Sequence, residues 1–590
     1  MKRMHVVSTL LVVSLLVPPL AVGQDTPASS SKPDVFTAVP ENAWAVACVR
    51  NLAGLEKKVM AIGTKFGAPP MSPLMMAKAM LGLTAGVDDT GDLLVVLLPL
   101  ESLGNFADKM VLLVPITDYA EFISLMEIQE AEGGLSTTTL QGVPMYIAQK
   151  DKHAILAPSA EMAKAVLESK GAGRKLFTKH QLDRAQEDDL TIWINAEPVV
   201  ASDVAAPLFA MAEAMNNPGL EQLKDFKTVQ IGLQVSESGV RLGFHLEAKP
   251  DTEVAKSLGG VRETSDSLLT GLPAEPFVLA IGGLYTAGSS QYMAEYFGKM
   301  LDNPKITAGG DVDAEKLKSV KDIISKMIEG LRSIAISVSA LPAGPDGMIG
   351  LAKVAGLEGD ARECLDSFGE LIQTVKGGLF TKEEVNEWLQ HMEYTPKAET
   401  IAGIEVDHFK VKLDEIEEIE AEDLETALKI IGKEGVLVRV GAVDPRHVLA
   451  TFGGGAARFE TAAGLVKEKK APLADNPGIK KTAEALPKKR AGEGYIALDT
   501  GFRLASEVAK VLDEPLPFAV PEVNAPIGMA ATMTSKTAQQ SDVFIPMEVI
   551  MAAKDVVQAM MGMHAPPAVP PEPAAPPAPA EEPEEVPAEE

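Results

Sequence analysis

The stretch Val35–Val49 reads VFTAVPENAWAVACV, and a later stretch, Leu268–Gly282, reads LLTGLPAEPFVLAIG. Both carry Thr, two residues, Pro, three residues and then an aromatic, Trp44 or Phe277, that opens an apolar run. Three further pairs follow in the same order: TLQGV at Thr139 with TIAGI at Thr400, DKHAILA at Asp151 with DPRHVLA at Asp444, and ASDVAAPL at Ala201 with ASEVAKVL at Ala505. The offset between partners grows from 233 to 261, 293 and 304 residues. Ordered matches with a growing offset are the mark of a duplicated unit with insertions in the second copy.

The jump in offset from 261 to 293 places an insertion between Gly403 and Asp444. Residues 413–431 there carry Leu413, Ile416, Ile419, Leu424, Leu428 and Ile431 at helical spacing, with acids between them. This predicts an amphipathic acidic helix present only in the second copy, its acids forming a solvated face. The rest of each copy reads as paired strands punctuated by helices, with Pro40 and Pro273 ending a turn and starting a strand. Hairpin turns are expected at Lys150–Asp151 and Asp444–Pro445, and strand-to-helix hand-overs at Asn195 and Asp499. The fold class is therefore α+β: two duplicated lobes, 34–262 and 263–563, each a mainly antiparallel sheet with helices packed on one face.

The ends read differently. Residues 1–23 carry Lys2 and Arg3, an apolar core broken by Pro18 and Pro19, and small residues at Ala21 and Gly23. This is the pattern of a signal peptide cleaved before Gln24, and it implies an exported protein, periplasmic or extracellular. Residues 24–33 read as a flexible lead-in. Residues 564–590 hold ten Pro and seven Glu and almost nothing to bury, the composition of a disordered tail. No run in the mature chain has the ~18–20 apolar residues of a membrane-spanning helix. The organisation resembles uncharacterised secreted bacterial proteins with a leader, tandem α/β lobes and a Pro/Glu-rich end. That resemblance implies architecture and no site residues.

The net charge of −29 argues against nucleic acid or an anionic membrane as partner, since both require basic surface. Aromatics are only 5% of the chain, which argues against a carbohydrate-stacking surface. The two cysteines, Cys48 and Cys364, lie in different lobes without counterparts, and read as separate buried thiols.

Catalytic motifs are missing from the sequence: there is no Gly-x-Ser-x-Gly, His-Glu-x-x-His, phosphate-binding Gly-rich loop with Lys, or Cys-x-x-Cys. Gly453–Gly455 stands between a strand and a helix, where backbone N–H groups bind phosphate in other proteins. The first copy has no glycines there, so a loop is the expected reading. The mature chain's histidines are His153, His180, His245, His391, His408, His447 and His564. His153 and His447 fall one residue apart when Asp151 and Asp444 are aligned, which would set them on opposite strand faces. Asp407 and His408 are strand neighbours and face apart. The acidic groups Asp88, Asp89 and Asp92, and Asp311 with Asp313, lack the spacing of a calcium loop and read as turn and helix-start residues.

Methionines cluster twice, at Met71, Met75, Met76 and Met80, and at Met547, Met551, Met560, Met561 and Met563. Thioethers bind Cu(I) in some exported proteins, but Met more often fills apolar interfaces. No catalytic, cofactor or metal residue is assigned, and the balance is against an enzyme. The leading expectation is an exported non-catalytic binding or scaffolding protein. Alternatives are a carrier holding an apolar ligand in a cleft lined by the Met-rich helices, and a hydrolase with an unrecognised carboxylate pair. A protein partner or an apolar ligand is the expected kind of contact.

Overall fold

A computed structural model describes residues 35–563 apart from 68–70, 84, 102–106, 141, 208, 211–221, 303–311, 417–418, 515 and 517–518. The expected signal peptide, lead-in and tail lie outside the described residues, as do Asp311 and His564.

The strands of the first half are β1 Ala45–Val49, β2 Leu93–Leu97, β3 Met110–Pro115, β4 Gln129–Glu130, β5 Ser136–Leu140, β6 Val143–Lys150, β7 His153–Ala157, β8 Leu190–Asn195, β9 Phe226–Val235 and β10 Gly239–Ala248. Those of the second are β11 Phe277–Leu284, β12 Leu331–Ala340, β13 Ile349–Leu357, β14 Met392–Ile401, β15 Ile404–Val411, β16 Val436–Asp444, β17 His447–Phe452, β18 Gly492–Ile496, β19 Ile527–Met533 and β20 Ala538–Pro546. All their pairings are antiparallel. Outward from the middle, the first half runs β10, β9, β8, β1, β2, β3, β7. The second runs β20, β19, β18, β11, β12, β13, β17. Position for position, these are the same members of the two strand series.

The halves do not form separate sheets. β10 pairs with β20 from Gly239↔Pro546 to Glu247↔Ala538, so one sheet runs through the whole molecule. The pairing is possible because β10 and β20 are each the last strand of a half and each would otherwise leave an open edge.

Sixteen α-helices are described. In the first half they are α1 Leu52–Lys65, α2 Pro73–Leu81, α3 Tyr119–Ile123, α4 Ala160–Glu168, α5 Lys179–Glu187, α6 Ala196–Val200 and α7 Glu253–Leu258. In the second they are α8 Ala287–Leu301, α9 Ala314–Glu329, α10 Ala361–Lys376, α11 Glu383–Gln390, α12 Ala421–Ile431, α13 Gly455–Glu468, α14 Pro477–Ala483, α15 Leu498–Val511 and α16 Met547–Met563. The molecule is α+β. The main core of the first half lies between α4, α5 and one sheet face, where Val46, Leu94, Val96, Leu113 and Ile155 meet Val166 and Ala185. Its counterpart packs Ala352, Val354 and Leu449 under Phe459, Ala463 and Val466 of α13. A second apolar layer occupies the opposite face. Alternation along each strand sends Val114, Ala154 and Leu156 to Phe122 of α3, and Leu357 and Val448 to Leu365 of α10.

Two local expectations need correction. The hairpin turns are Asp151–Lys152 and Pro445–Arg446, one residue later than expected, closed by the pairs Lys150↔His153 and Asp444↔His447. His153 and His447 therefore open β7 and β17 at matching positions rather than one residue apart. Asp151 takes φ 51°, the left-handed turn conformation that Asp tolerates, and this fixes it inside the turn. The second correction concerns the Thr139 and Thr400 phrases. They end in two-residue turns, closed by Leu140↔Val143 and Ile401↔Ile404, but these are the β5–β6 and β14–β15 turns, which hold different places in the two ten-strand series. The connection that matches β5–β6 is β15–β16, and there the second half carries α12 in place of a two-residue turn. The helix itself spans Ala421–Ile431, preceded by a short 3-10 turn at Leu413–Glu415.

Candidate functional site

Residues 52–81 contain five Met and five Ala among Leu, Ile and Val, a run that composition alone would bury, yet none of its described side chains is buried. α1 has no buried residue. On α2 the methionines face solvent: Met75 is 72% exposed, Met80 67% and Met76 47%, with Met71 at 58% just before the helix. Val59 of α1 is also exposed. Full burial of one such side chain is worth about 1.5–3 kcal/mol, so this surface forgoes a large apolar gain.

α2 is nevertheless well specified at both ends. Ser72 caps it by accepting from the Met75 N–H at 2.9 Å, Pro73 takes the first helical position, and Gly82 closes it at φ 68°. Ser72 also donates to Glu56 of α1, and Lys78 reaches Asp89 at 3.0 Å. Polar contacts at the margins hold the helix pair, so the methionines are not what fastens it. Segment 52–81 carries four Lys and one Glu, a net +3 in a chain of −29. Lys58 is paired with Asp189 at 2.6 Å, whereas Lys57 and Lys65 are exposed and form no ion pair among the described residues. The second Met-rich helix, α16, comes to the same place: Lys554 lies over the Phe66 ring at 5.6 Å, next to the end of α1. Val557 of α16 is 51% exposed. Both halves therefore contribute to one apolar ridge rimmed by lysines. The methionines of α2 form its crest and do not line an enclosed cleft.

A second concentration of unusual residues sits where β10 meets β20, beneath α5. Gln181 donates to Thr228 at 2.8 Å and lies 3.3 Å from His245 Nδ1, and His245 Nε2 meets Thr534 at 2.8 Å. Arg184 donates to Asp542 at 3.1 Å and to Asp188 at 3.4 Å, and Gln540 stands between His180 and Asp542. Gly232 and Gly243 make room: a Cβ at Gly232 would stand 2.0 Å from Asp188 Oδ2, and one at Gly243 2.7 Å from an Arg184 nitrogen. Burial drives His245 down to about 3 and lowers His180 as well. It raises Asp188 to about 6 against the pull of Arg184 and Arg241. The equivalent layer in the second half carries fewer polar groups: Ile479, Leu486 and Phe544 lie in the core, and Thr482 of α14 donates to the Pro526 carbonyl at 2.9 Å.

Beside this layer a cleft of about 190 Å³ is bounded by Arg50, Asn51, Leu55, Lys58, Glu187, Asp188 and Asp189. Its three successive carboxylates, Glu187, Asp188 and Asp189, are where a hydrolase reading would look, and Glu187 pairs with Arg184 and Arg241. Asp189 is taken by Lys58 and by the Val235 N–H at 2.7 Å. Asp188 turns one oxygen to Arg184 and the other against Gly232. Both aspartates therefore face protein rather than the cleft.

The residues weighed in the sequence are dispersed. His153 binds the Asp92 carbonyl at 3.1 Å, His447 the Asp444 carboxylate at 2.8 Å, and His408 Glu399 at 2.7 Å. Asp407, fully buried, is held by a two-pronged contact from Arg362 at 2.9 Å and by the Lys397 N–H. Asp88 accepts from Thr90, Asp89 from Lys78, and Asp92 from the Asn51 N–H, while Asp313 caps α9. Asn195 stands at the N-cap position of α6 without a side-chain capping bond, and Asp499 lies in the first turn of α15, paired with Arg503. At the glycine run, a Cβ on Gly453 would stand 2.0 Å from the Ile349 carbonyl, and Gly454 and Gly455 follow at φ 73° and 62°. The Asp346 carboxylate beside Gly455 would repel an anion there. Cys48 and Cys364 are free thiols, and burial raises that of Cys364. Among the described residues, no group of three or more His, Cys, Asp or Glu side chains converges as metal ligands, and no helix is long and apolar enough to cross a membrane.

No family model matches the chain, and no curated protein matches it. Among solved structures it is similar to crystal forms of TP0453. Forms I and IV share 10% identity at a TM-score of 0.22, covering 38% of this chain and 81% or 86% of the other. Form III shares 8% identity at 0.21, covering 50% and 100%. At these scores the likeness carries no argument about what this chain does.

Proposed function

We propose that this is an exported, non-catalytic binding or scaffolding protein, built from two lobes, 34–262 and 263–563, fused through one sheet. Its contact surface is the methionine ridge of α1, α2 and α16. The leader-like residues 1–23 support export. The observation that carries the binding reading is the exposure of Met71, Met75, Met76 and Met80 on an otherwise well-capped helix. Methionine suits such a role because its flexible, polarizable side chain adapts to a partner's shape. An exposed apolar patch with a charged rim is the usual mark of a contact surface. The carrier alternative draws less support, because the methionines of α2 are exposed and line no enclosed cavity among the described residues.

The test is site-specific photo-crosslinking in the exporting cell. A photoreactive methionine analogue at Met75 or Met80 should capture a discrete adduct that the same group at Glu422, on exposed α12, does not. Equal capture at all three sites, or none at Met75 and Met80, removes the reading.

A further inference from the structure

We propose that the chain's own Pro- and Glu-rich end, Ala565–Glu590, lies across the α1–α2 ridge and shields its methionines. This goes beyond the binding reading: it names what covers the surface before a partner does. It rests on the ridge being a contact surface and not on which partner uses it.

Three observations point to this occupant. The first is position. α16 ends at Met563, and its Lys554 already touches Phe66 at the end of α1. The chain beyond α16 starts about 14 Å further along the helix axis, at 1.5 Å per residue. At about 3.1 Å per residue, an extended Pro-rich segment of this length reaches roughly 80 Å, far more than the ~21 Å of α1. Reach is therefore no obstacle.

The second is charge. The segment carries seven Glu, from Glu572 to Glu590, in a chain of net charge −29. Segment 52–81 is an exception at net +3, and its Lys57 and Lys65 are exposed without an ion pair among the described residues. Pairing there relieves repulsion that the segment meets over acidic surface.

The third is side-chain chemistry. Ala565–Pro577 is made of Pro, Ala and Val with one Glu. Proline segments pre-set in an extended left-handed helix lose little entropy on docking, and they pack their rings against apolar ridges. α2 supplies such a ridge and has little of its own to bury it.

The experiment compares the full mature chain with one ending at Met563. Zero-length carbodiimide coupling at high dilution should join Lys57 or Lys65 to glutamates of 572–590 within one chain. Met75, Met76 and Met80 should oxidise about threefold or more slowly with hydrogen peroxide in the full chain than in the shortened one. Coupling spread evenly to distant lysines such as Lys429 and Lys480 would overturn the proposal, as would equal oxidation rates in the two chains. Coupling only between isotopically distinguished chains would overturn it in favour of a second copy on the ridge. Equal oxidation with the Met75 photo-adduct retained would leave the binding reading standing and remove this one alone.

Discussion

Arg184 on α5 of the first half donates to Asp542 on β20 of the second at 3.1 Å, with both side chains almost fully buried. Arg184 also serves Asp188 and Glu187, so a single guanidinium compensates three carboxylates next to the strand pair that joins the halves. The two changes at this pair should differ. Asp542→Asn leaves Arg184 its other partners and should cost about 1–2 kcal/mol. Arg184→Met strands buried Asp188 and Asp542 together and should cost about 3–5 kcal/mol. Chemical denaturation of both variants checks the order; equal losses would mean that Arg184 is not the shared partner.

The same layer sets a pH dependence. His245 and His180 are held below their ordinary value by burial, so the unfolded chain takes up protons that the folded chain refuses. Their contribution is intact above about pH 6.5 and is lost as pH falls, at up to ~1.4 kcal/mol per pH unit for each histidine. Asp188 works the other way. Its folded value, about 6, lies above the ordinary 3.8, so the folded state binds the extra proton between those limits. Its contribution is present at low pH and is lost as pH rises through 6. Asp188→Asn removes that opposing term, and its melting temperature should fall more steeply from pH 6.5 to 4 than the parent's. Parallel curves would show that Asp188 titrates normally.

Part of the architecture was legible in the ordered matches: the two Pro-to-aromatic phrases both start the first strand of a half, and the Asp151 and Asp444 phrases both fall at the matching β6–β7 and β16–β17 hairpins. The Thr139 and Thr400 phrases fall on turns that do not match, because a short shared motif marks a turn without saying which turn it is. The join between the halves left no local trace: β10 and β20 read like any alternating strands, and nothing in Gly239–Ala248 names Pro546 as its partner. The polar layer was hidden for a related reason. KHQLDRAQE, α5, has the composition of a solvated helix, yet Gln181 and Arg184 are buried because Gly232 and Gly243 open the sheet beneath them. α2 misleads in the opposite direction. PLMMAKAML has the composition of a core helix, and only the three-dimensional arrangement shows that nothing in the described chain covers it.

Trp44 and Phe277 stand at the starts of β1 and β11, 7% and 3% exposed. Trp44→Ala and Phe277→Ala should each cost about 3–5 kcal/mol, the usual range for a buried aromatic. Because the sheet is continuous through β10 and β20, both variants should shift one shared unfolding transition in calorimetry. Two transitions, each answering to one variant only, would mean that the join does not couple the halves.

The central claim is that the α2 methionines serve contact rather than folding. The most direct measurement is the triple variant Met75→Gln, Met76→Gln, Met80→Gln, which keeps side-chain length and helix propensity while making the crest polar. Scored together in the exporting cell and by thermal unfolding, it should melt within about 1 °C of the parent, since exposed substitutions cost little. With a photoreactive group at Met71, its adduct should drop about tenfold relative to the same group in the parent, a loss of ~1.4 kcal/mol in binding. A melting temperature lowered by several degrees with the adduct undiminished would show that these side chains hold the fold and would contradict the account.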